Sequence, residues 1–393
     1  DPVEFAKTLV KFMYDNNALG VAANQVGVPY RIFAMRGSPE NFVCFNPKIV
    51  QPSEKDVVLE ELTLDDKKTY ELLARGETLG VFQLDGGPMR ALLRSMAPDS
   101  FADISAVIAL YRPGPMGENA HNNYADRKNG RKPVEPIHPE LSQPLQEILG
   151  DTYGLIVYQE QVMLLSQKIG GFTKGDADVL RKAMGKKQKS VLDKMKAQFI
   201  EGAVKNGHPA PVLEKVWTDW EAFAQYAFNK SHSTCYAYLA YQTAYLKAHY
   251  PAEYMSAVLN YAGSIEKITF FMEECKRMEL KVLGPDVNES LKGFSVNKNG
   301  EIRFGLGGLK GVGDAAMEAI ITERNRGGHF TNMMDFMKRV LSRAVNKKSL
   351  ESLAYSGSFD CFTEFHRAQY FFQSDSDNAT GLEKIIKYGN IYQ

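Results

Sequence analysis

The sequence has few of the residues that form covalent or metal cross-links. It contains four cysteines, Cys44, Cys235, Cys275 and Cys361, which lie far apart and form no Cys-x-x-Cys pair. No two histidines have the i, i+4 spacing of a helical metal site. We therefore expect neither disulfide bonds nor a Cys/His metal centre.

Net charge and long apolar runs are also missing. The chain has 47 Lys and Arg residues and 47 Asp and Glu residues, so its formal net charge is zero. Any affinity for nucleic acid must then come from local clusters of charge. No run of about 18 apolar residues is present, and the first residues lack the basic-then-apolar order of a secretory signal. We expect a cytoplasmic protein that does not bind membranes.

The segments of the sequence differ in pattern, and 44% hydrophobic content allows two or three domains. Residues 1–61 combine a helical pattern with strand-like runs, and residues 62–261 are mostly helical with Pro and Gly breaks. Residues 262–305 mix one helix with short strands. Residues 306–360 are helical again, and residues 361–393 form a tail with one short amphipathic segment. We predict a mainly α, multidomain fold with a small α/β element.

The most basic window belongs to a predicted helical region. Residues 181–196 carry seven Lys and Arg residues against one Asp. Thr173 and Asp176 form a capping-box pattern at the start of the helix, and an apolar stripe faces away from the cations. Such a helix suits a triphosphate or a nucleic-acid backbone, because these ligands concentrate negative charge. The alternative, which is common for charge runs, is a solvated surface.

A second cluster joins a polar turn to an aromatic helix. Residues 226–233 read Tyr-Ala-Phe-Asn-Lys-Ser-His-Ser. Aromatic faces beside cations are what nucleobases and phosphates require. The alternative is a core lined by tyrosines, which we expect for most of the five that follow. These are Tyr236, Tyr238, Tyr241, Tyr245 and Tyr250. Only Asn229, Lys230 and His232 do not fit that alternative.

A third cluster is a glycine hairpin before a predicted helix. Residues 309–313 read Leu-Lys-Gly-Val-Gly. Two glycines permit a tight turn whose N–H groups, at a helix N-terminus, can bind an anion such as a DNA phosphate. Residues 346–359 resemble a degenerate second copy in which Ser-Gly-Ser replaces the double glycine. An ordinary packing corner between two helices is the alternative.

Paired carboxylates would indicate two-metal chemistry. Asp176 is better explained as a helix cap, and Asp178 lies beside the basic helix. Asp65 and Asp66 have no strand context. We therefore predict no metal site and no catalytic residue in this chain.

Residues 62–390 resemble the bacterial DNA polymerase III alpha subunit, a C-family replicative polymerase. The resemblance rests on residues 64–70, 80–84, 109–115 and 158–161, together with the three clusters above. It implies helical polymerase fingers and a helix-hairpin-helix region, and a function as a DNA-directed DNA polymerase, a nucleotidyltransferase, in DNA-templated DNA replication.

The resemblance also implies roles for individual residues. The resemblance assigns nucleotide-triphosphate binding to eight residues, which are Arg181, Lys182, Lys186, Lys187, Tyr226, Asn229, Lys230 and His232. DNA binding falls to Arg112, Lys310, Gly311, Val312 and Gly313. Lys182 stands where the family usually has Arg, which weakens bidentate contact with phosphate, and Ala227 replaces the usual glycine.

The catalytic patterns of the family's palm, Pro-Asp-x-Asp-x-Asp-Phe and Lys-Phe-Asp-Phe, do not occur in this chain. The resemblance implies a DNA primer-template and a deoxynucleoside triphosphate as partners. For the complete polymerase it also implies Mg, the sliding clamp and other replisome subunits, although we find no clamp-binding motif here. We expect this chain alone to bind no cofactor and to be inactive.

Residues 1–61 resemble a different family, the peptide deformylases, through residues 19–29 and 45–47. This resemblance implies that Gly20 and Gln25 are remnants of a substrate site. The family's metal-binding Cys strand and His helix do not follow. We interpret the chain as a chimera of a truncated α+β deformylase-like segment and a polymerase fragment, either a degenerate gene or an assembly error. The alternative function is a deformylase-type metallohydrolase, inactive for lack of metal ligands.

Overall fold

The computed structural model describes residues 2–15, 20–22, 32–35, 42–45, 57–136, 138–186, 188–223, 228–340, 345–373 and 378–391. The chain divides into two compact units, Asp1–Leu62 and Thr63–Gln393. Helices dominate the described residues, so the predicted mainly α class is confirmed. No helix in these ranges is both long and apolar enough to cross a membrane.

The first unit contains one helix and one small antiparallel sheet. Its elements are α1 (Pro2–Asp15), β1 (Gly20–Ala22), β2 (Ile32–Met35) and β3 (Phe42–Phe45). The strand order is β1-β2-β3, with Ala34 opposite both Val21 and Val43. Helix α1 buries Leu9 and Met13, which share one face because they lie four residues apart.

The second unit begins with a layer of helices around α12. The helices are α2 (Lys67–Ala74), α3 (Gly87–Met96), α4 (Phe101–Leu110), α5 (Pro113–Gly117), α6 (Ala120–Lys128), α7 (Ser142–Leu149), α8 (Gln159–Gly170), α9 (Lys174–Gly185), α10 (Lys189–Lys205), α11 (Ala210–Phe223), α12 (Lys230–His249) and α13 (Pro251–Asn260). Helix α12 packs against α4 and α2. Residues 103–110 of α4 are all buried, as expected for a helix that is apolar almost all round.

Helices α7 to α11 share a separate aromatic core. The ring centroids of Phe199 and Trp220 lie 4.8 Å apart, and Trp217 lies 6.0 Å from Trp220. A β-carbon on Gly202 of α10 would collide with the carbonyl oxygen of Gly170 in α8. The two glycines therefore let these backbones approach closely, next to the point where α8 ends and α9 begins.

The last part of the chain contains a small mixed sheet and a second helical core. The sheet follows α14 (Ile265–Arg277) and consists of β4 (Val282–Leu283), β5 (Ser295–Val296) and β6 (Ile302–Arg303) in the order β4-β6-β5. Strand β6 is parallel to β4 and antiparallel to β5. The helices are α15 (Asp314–Gly327), α16 (Met333–Val340), α17 (Lys347–Ser356) and α18 (Gly381–Gly389), which pack on one core.

A buried ion pair connects α12 with α14. Lys247 Nζ lies 2.7 Å from Glu274 Oε1, and both side chains are almost completely buried. The same ammonium group donates to the carbonyl oxygens of Glu77 and Leu79, at 2.9 and 2.8 Å. Arg277 donates two further hydrogen bonds to the Glu274 carboxylate. This network ties the start of the loop at residues 77–84 to α12 and α14.

Candidate nucleotide and DNA interface

Helix α9 begins with the capping box that the sequence predicted. Asp176 N donates to Thr173 Oγ1 at 3.1 Å, and the Asp176 carboxylate accepts from Thr173 N and Oγ1 at 3.0 and 2.6 Å. The hydrogen bonds from Thr173 lower the pKa of Asp176. The inward face of the helix is formed by Ala177, Leu180, Ala183 and Met184. Asp176 is thus a helix cap.

Two of the predicted phosphate-binding cations on α9 already have a partner. Arg181 Nη2 lies 2.7 Å from Asp178 Oδ1, and Lys182 Nζ lies 2.7 Å from Asp178 Oδ2. Hydrogen bonds from Lys182 and Arg181 lower the pKa of Asp178. Lys186 is exposed at the end of the helix. One carboxylate therefore offsets part of the positive charge that the sequence concentrates here.

Two motifs that lie far apart in the sequence meet where α8 and α12 begin. Glu160 Oε1 accepts from Asn229 Nδ2 at 2.9 Å, and Glu160 Oε2 accepts from Lys230 N at 2.9 Å. A carboxylate at a helix N-terminus is favourable because it satisfies free N–H groups and faces the positive end of the helix dipole. We call residues 228–230 the clamped turn.

Backbone pairing also holds the clamped turn. Gln159 N donates to Phe228 O at 2.9 Å, and Tyr158 and Phe228 form a parallel β-bridge. The turn is therefore tied to the start of α8 by main-chain contacts as well as by the Glu160 carboxylate.

Tyr158 and Gln161, which belong to the motif at residues 158–161, hold neighbouring elements together by hydrogen bonds. Gln161 Oε1 accepts from Val157 N and Tyr158 N at 2.8 and 3.0 Å, and Gln161 Nε2 donates to Thr152 Oγ1 at 2.7 Å. Tyr158 OH donates to Ser105 Oγ on α4 at 3.1 Å. The motif therefore joins α8 to α4 on one side and to the clamped turn on the other.

A row of rings with a guanidinium at one end runs along the start of α12. Arg112 Cζ lies 4.2 Å from the ring centroid of Phe228. The Phe228 ring meets His232 edge-on at 5.3 Å, His232 lies over Tyr236 at 4.3 Å, and Tyr236 lies 5.4 Å from Phe82. We call these five residues the cation–aromatic row. Such a surface offers ring faces for nucleobases and a cation for phosphate.

Phe82 and Gln83 received no individual role in the sequence analysis, but the structure places both at this row. Gln83 adopts a left-handed conformation with φ of 61° and lines an open groove beside Arg112 and His232. Phe82 N donates to Thr243 Oγ1 on α12 at 3.2 Å. The sequence signal for this loop was the glycine at residue 80, because a glycine between apolar residues is typical of a tight turn.

The expectation that most of the α12 tyrosines belong to the core was wrong. Tyr241 is completely buried, and its hydroxyl group donates to Thr63 O at 2.7 Å. The other four tyrosines are only half-buried. The reason is that α12 turns an alanine stripe toward its neighbours, which allows close packing on α4 and α2. The stripe consists of Ala237, Ala240, Ala244 and Ala248.

Asn229, Lys230 and His232 lie together at the N-terminus of α12. Asn229 Oδ1 accepts from His232 N at 2.9 Å and caps the helix. Lys230 Nζ lies 5.5 Å from the ring centroid of Tyr158. Because Asn229 Nδ2 also donates to Glu160, both ends of the Asn229 side chain are used inside the protein.

Four further predicted site residues lie either outside the described residues or in the first unit. Lys187, Tyr226 and Gln25 lie outside the described residues. Gly20 lies in β1 of the first unit, opposite Met35. The structure therefore brings together the part of the predicted nucleotide site that surrounds the clamped turn.

The glycine hairpin needs glycine at only one of its two positions. Gly311 has φ of +97°, and a β-carbon there would lie 2.5 Å from Ser352 Oγ. Gly313 has φ of −79° and open space around it, so the turn does not require glycine there. Val312 is buried in the second helical core, while Lys310 is exposed. The hairpin is anchored by the hydroxyl group of Ser349, which donates to Gly311 O at 3.1 Å.

The hairpin leads into the N-terminus of α15. Within the described residues, the N–H groups of Gly313, Asp314 and Ala315 have no acceptor. Such groups form an anion site in principle. The carboxylate of Asp314 opposes an incoming anion, but Lys292 Nζ offsets its charge from 2.9 Å away.

The segment that resembles a second copy of the hairpin is arranged differently. Gly357 has φ of +82° and ends α17. Its N–H group and that of Ser358 donate back to the carbonyl oxygens of Ala354 and Leu353, at 3.2 and 2.9 Å. These N–H groups are therefore used to cap a helix, and they are not free to bind a phosphate.

The carboxylates that we rejected as metal ligands have other partners. Asp66 caps α2 by accepting from Thr69 N at 2.8 Å, and it also lies 2.9 Å from His249 Nε2. Burial raises the pKa of Asp66, but the hydrogen bonds from Thr69 and His249 outweigh burial and lower it overall. Across the described ranges, no three His, Cys, Asp or Glu residues are grouped to hold a metal ion.

Comparison with known families supports the two resemblances. The profile of the bacterial DNA polymerase III alpha subunit finger domain matches residues 46–207, and a helix-hairpin-helix motif matches residues 279–370. The polypeptide deformylase profile matches residues 2–85. The finger and deformylase profiles therefore overlap over residues 46–85.

Curated relatives named DNA polymerase III subunit alpha match most of the chain. The protein from Saccharopolyspora erythraea is 51% identical over 334 residues, which are 84% of this chain and 28% of the relative. The Mycobacterium tuberculosis protein is 49% identical over 85% of this chain and 28% of its own length. The Escherichia coli protein is 44% identical over 80% of this chain and 27% of its own length. The predicted resemblance is confirmed, and the chain spans about 28% of the relatives it matches.

Proposed function

We propose that this chain is a fragment of a bacterial DNA polymerase III alpha subunit, which binds a DNA primer-template and the incoming deoxynucleoside triphosphate during replication in the cytoplasm. The cation–aromatic row carries this proposal. Glu160 holds the backbone next to Phe228, and Arg112 Nε donates to Ala109 O at 2.9 Å. Phe82 of the loop at residues 77–84 packs against Tyr236. A preorganised surface of this kind binds nucleic acid without first ordering its own side chains.

The triphosphate would lie on the cations of α9 and its C-terminal end. Arg181 and Lys182 can turn from Asp178 to phosphate, because exposed ion pairs contribute little free energy. Lys186 and Lys187 would add positive charge. The clamped turn would lie on the other side of the nucleotide, where Asn229 acts as a positioning residue because both ends of its side chain are already bonded.

Tyr226, Lys230 and His232 would contact the base and the sugar-phosphate of the nucleotide, next to the rings of the row. Arg112 and the hairpin at residues 310–313 would contact the DNA backbone. In the complete polymerase, Mg and the palm would supply the chemistry, and the sliding clamp and other replisome subunits would be partners. In-line attack needs two metals held by carboxylates. The chain alone should therefore not extend a primer.

The test is fluorescence anisotropy of a labelled primer-template over a salt series. Replacing Arg181, Lys182, Lys186 and Lys187 by Ala should flatten the plot of log affinity against log salt by a few units. The variant should unfold at nearly the same urea concentration, because substitutions on an exposed surface usually change stability little. An unchanged salt slope would show that α9 is only a solvated face.

A second measurement addresses the row itself. Arg112→Ala and His232→Ala should each weaken primer-template binding, with a smaller change in salt slope for His232, which acts mainly through stacking. Primer extension with Mg and all four nucleotides should stay at background. Incorporation that survives purification and disappears in Asp176→Ala would contradict the proposed inactivity.

The deformylase match at residues 2–85 favours one competing function, the metal-dependent removal of N-terminal formyl groups. Gln25 can orient a substrate, but it cannot replace a metal-bound water. We therefore expect no stoichiometric Zn or Fe in the purified protein and no hydrolysis of formyl-peptides. One metal per chain, lost in Cys44→Ala, would support the competing function.

A further inference from the structure

A pair of stacked rings, Tyr355 exposed and Phe371 half-buried against the second helical core, lies near the glycine hairpin. The ring centroids of Tyr355 and Phe371 are 3.9 Å apart, and the ring planes differ by 15°. Tyr355 is 66% exposed, and the neighbouring Phe372 is 67% exposed. We call Tyr355 and Phe371 the aromatic shelf. Exposed apolar groups that adjoin one another in this way are typical of an interaction surface.

The shelf continues a face of α17 that touches the hairpin. Lys348, Ser352 and Tyr355 lie on one side of this helix, because they are spaced four and three residues apart. A β-carbon on Gly311 would lie 2.5 Å from Ser352 Oγ and 3.8 Å from Lys348 Cε. The shelf is therefore about one helical turn beyond the point where α17 contacts the hairpin.

The charges on this face favour an anionic strand. Lys310 and Lys348 are exposed, and neither has an ion-pair partner among the described residues, whereas the adjacent Lys347 pairs with both Glu351 and Glu383. In this respect they differ from Arg181 and Lys182, which share Asp178. The free N–H groups at the start of α15 lie next to Lys310 in the sequence. A nucleic-acid backbone on the hairpin would thus have rings within reach of a neighbouring nucleotide.

We propose that the aromatic shelf stacks an unpaired nucleobase of single-stranded DNA whose backbone lies on the hairpin. This proposal rests on the DNA-binding function proposed above and adds the form of DNA that the site prefers. Within duplex DNA the base faces are covered by their neighbours, so an unpaired base offers a protein ring a free face that a stacked base pair does not. Stacking does not depend on the identity of the base, which suits a replication protein.

The test compares two DNA probes with the full 393-residue chain. One probe is a blunt duplex, and the other is the same duplex with a single-stranded overhang that carries 2-aminopurine. Tyr355→Ala should weaken binding of the overhang probe by about tenfold and remove the quenching of 2-aminopurine. Affinity for the blunt duplex should stay the same, and Tyr355→Phe should retain both properties because it keeps the ring.

Tyr261→Ala is the matched control, because Tyr261 is 91% exposed and lies just after α13, outside this face. It should change neither probe. Gly311→Val should weaken binding of both probes, since it disturbs the hairpin that holds the backbone. If Tyr355→Ala leaves overhang affinity and quenching unchanged, the shelf has another occupant, such as a protein segment, and the inference is overturned. Loss of all binding in the unmodified chain would instead overturn the proposed function.

Discussion

Helix α9 and the clamped turn at residues 228–230 represent opposite ways of building a site. The helix carries the first two cations of the most basic window in the sequence, but Asp178 pairs with both. The turn contains a single lysine, yet Glu160 fixes its backbone and Asn229 with two hydrogen bonds. A count of charges therefore identifies a region of interest, whereas the partners of those charges determine what the region can bind.

The largest effect should come from removing the support beneath α12. Glu274→Ala would leave Lys247 buried without its carboxylate partner, at a cost of about 3–5 kcal/mol. Urea unfolding should show this loss, and amide exchange should speed up in α12 before it does in α9. Glu201→Ala, which removes an exposed ion pair with Lys205, is the control and should leave the unfolding curve almost unchanged. Equal effects of the two variants would contradict this account.

The same network should make stability depend on pH. Burial raises the pKa of Glu274, but hydrogen bonds from Arg277 and Lys247 outweigh it, and the pKa in the folded state is lowered. A carboxyl group with a lowered folded pKa stabilises the protein fully above its unfolded pKa, about 4.3. This contribution is lost as the pH falls through the folded value. Urea titrations below pH 5 should show a steeper loss for the natural chain than for Glu274→Gln, and parallel curves would argue against it.

The next effect concerns the clamp itself. Glu160→Ala removes the acceptors of Asn229 Nδ2 and Lys230 N, so we expect a loss of about 1–2 kcal/mol in unfolding free energy. Glu160→Gln keeps one acceptor and should lose less. Primer-template affinity should also fall, although no cation is removed. If affinity is unchanged while stability falls, the clamp supports only the fold and the turn does not contact DNA.

Whether the sequence could predict a contact depends largely on how far apart the two partners are along the chain. The capping box of Thr173 and Asp176 was predicted because its members are three residues apart. The pairing of Asp178 with the two cations of α9 follows the same i+3 and i+4 rule, and it could have been predicted too. The contact of Glu160 with Lys230 spans 70 residues, and only the folded chain brings these two together.

Helix α12 and the glycine hairpin also separate features that local spacing predicts from features that depend on tertiary contacts. The alanine stripe of α12 is visible in the sequence at helical spacing. Because alanine side chains are small, the sequence pattern instead favours the larger tyrosines as the core residues. Gly311 and Gly313 are equivalent in the sequence pattern, yet only Gly311 has a positive φ. The side chain of Ser352 on α17 also faces Gly311. Local spacing thus predicts caps and faces, while the contacts that define the row and the hairpin are tertiary.

The smallest expected effect belongs to the variant that compares α9 with the clamped turn most directly. Asp178→Ala frees Arg181 and Lys182, so DNA affinity should rise by a few-fold and the salt slope should steepen by about one unit. Stability should hardly change, because the pairs are partly exposed. Asp193→Ala in α10 is the matched control, since it adds the same charge within the basic segment but releases neither Arg181 nor Lys182.

A larger gain in affinity for Asp178→Ala than for Asp193→Ala would show that Asp178 restrains the cations of α9. Equal gains would show that only the total charge of the segment matters, and the helix would then be a solvated face. A fall in affinity would reveal a third arrangement, in which Asp178 aligns Arg181 for phosphate in the same way that Glu160 aligns the clamped turn. In that case the two regions would share one principle, since in both a carboxylate sets the geometry of the groups that meet the ligand.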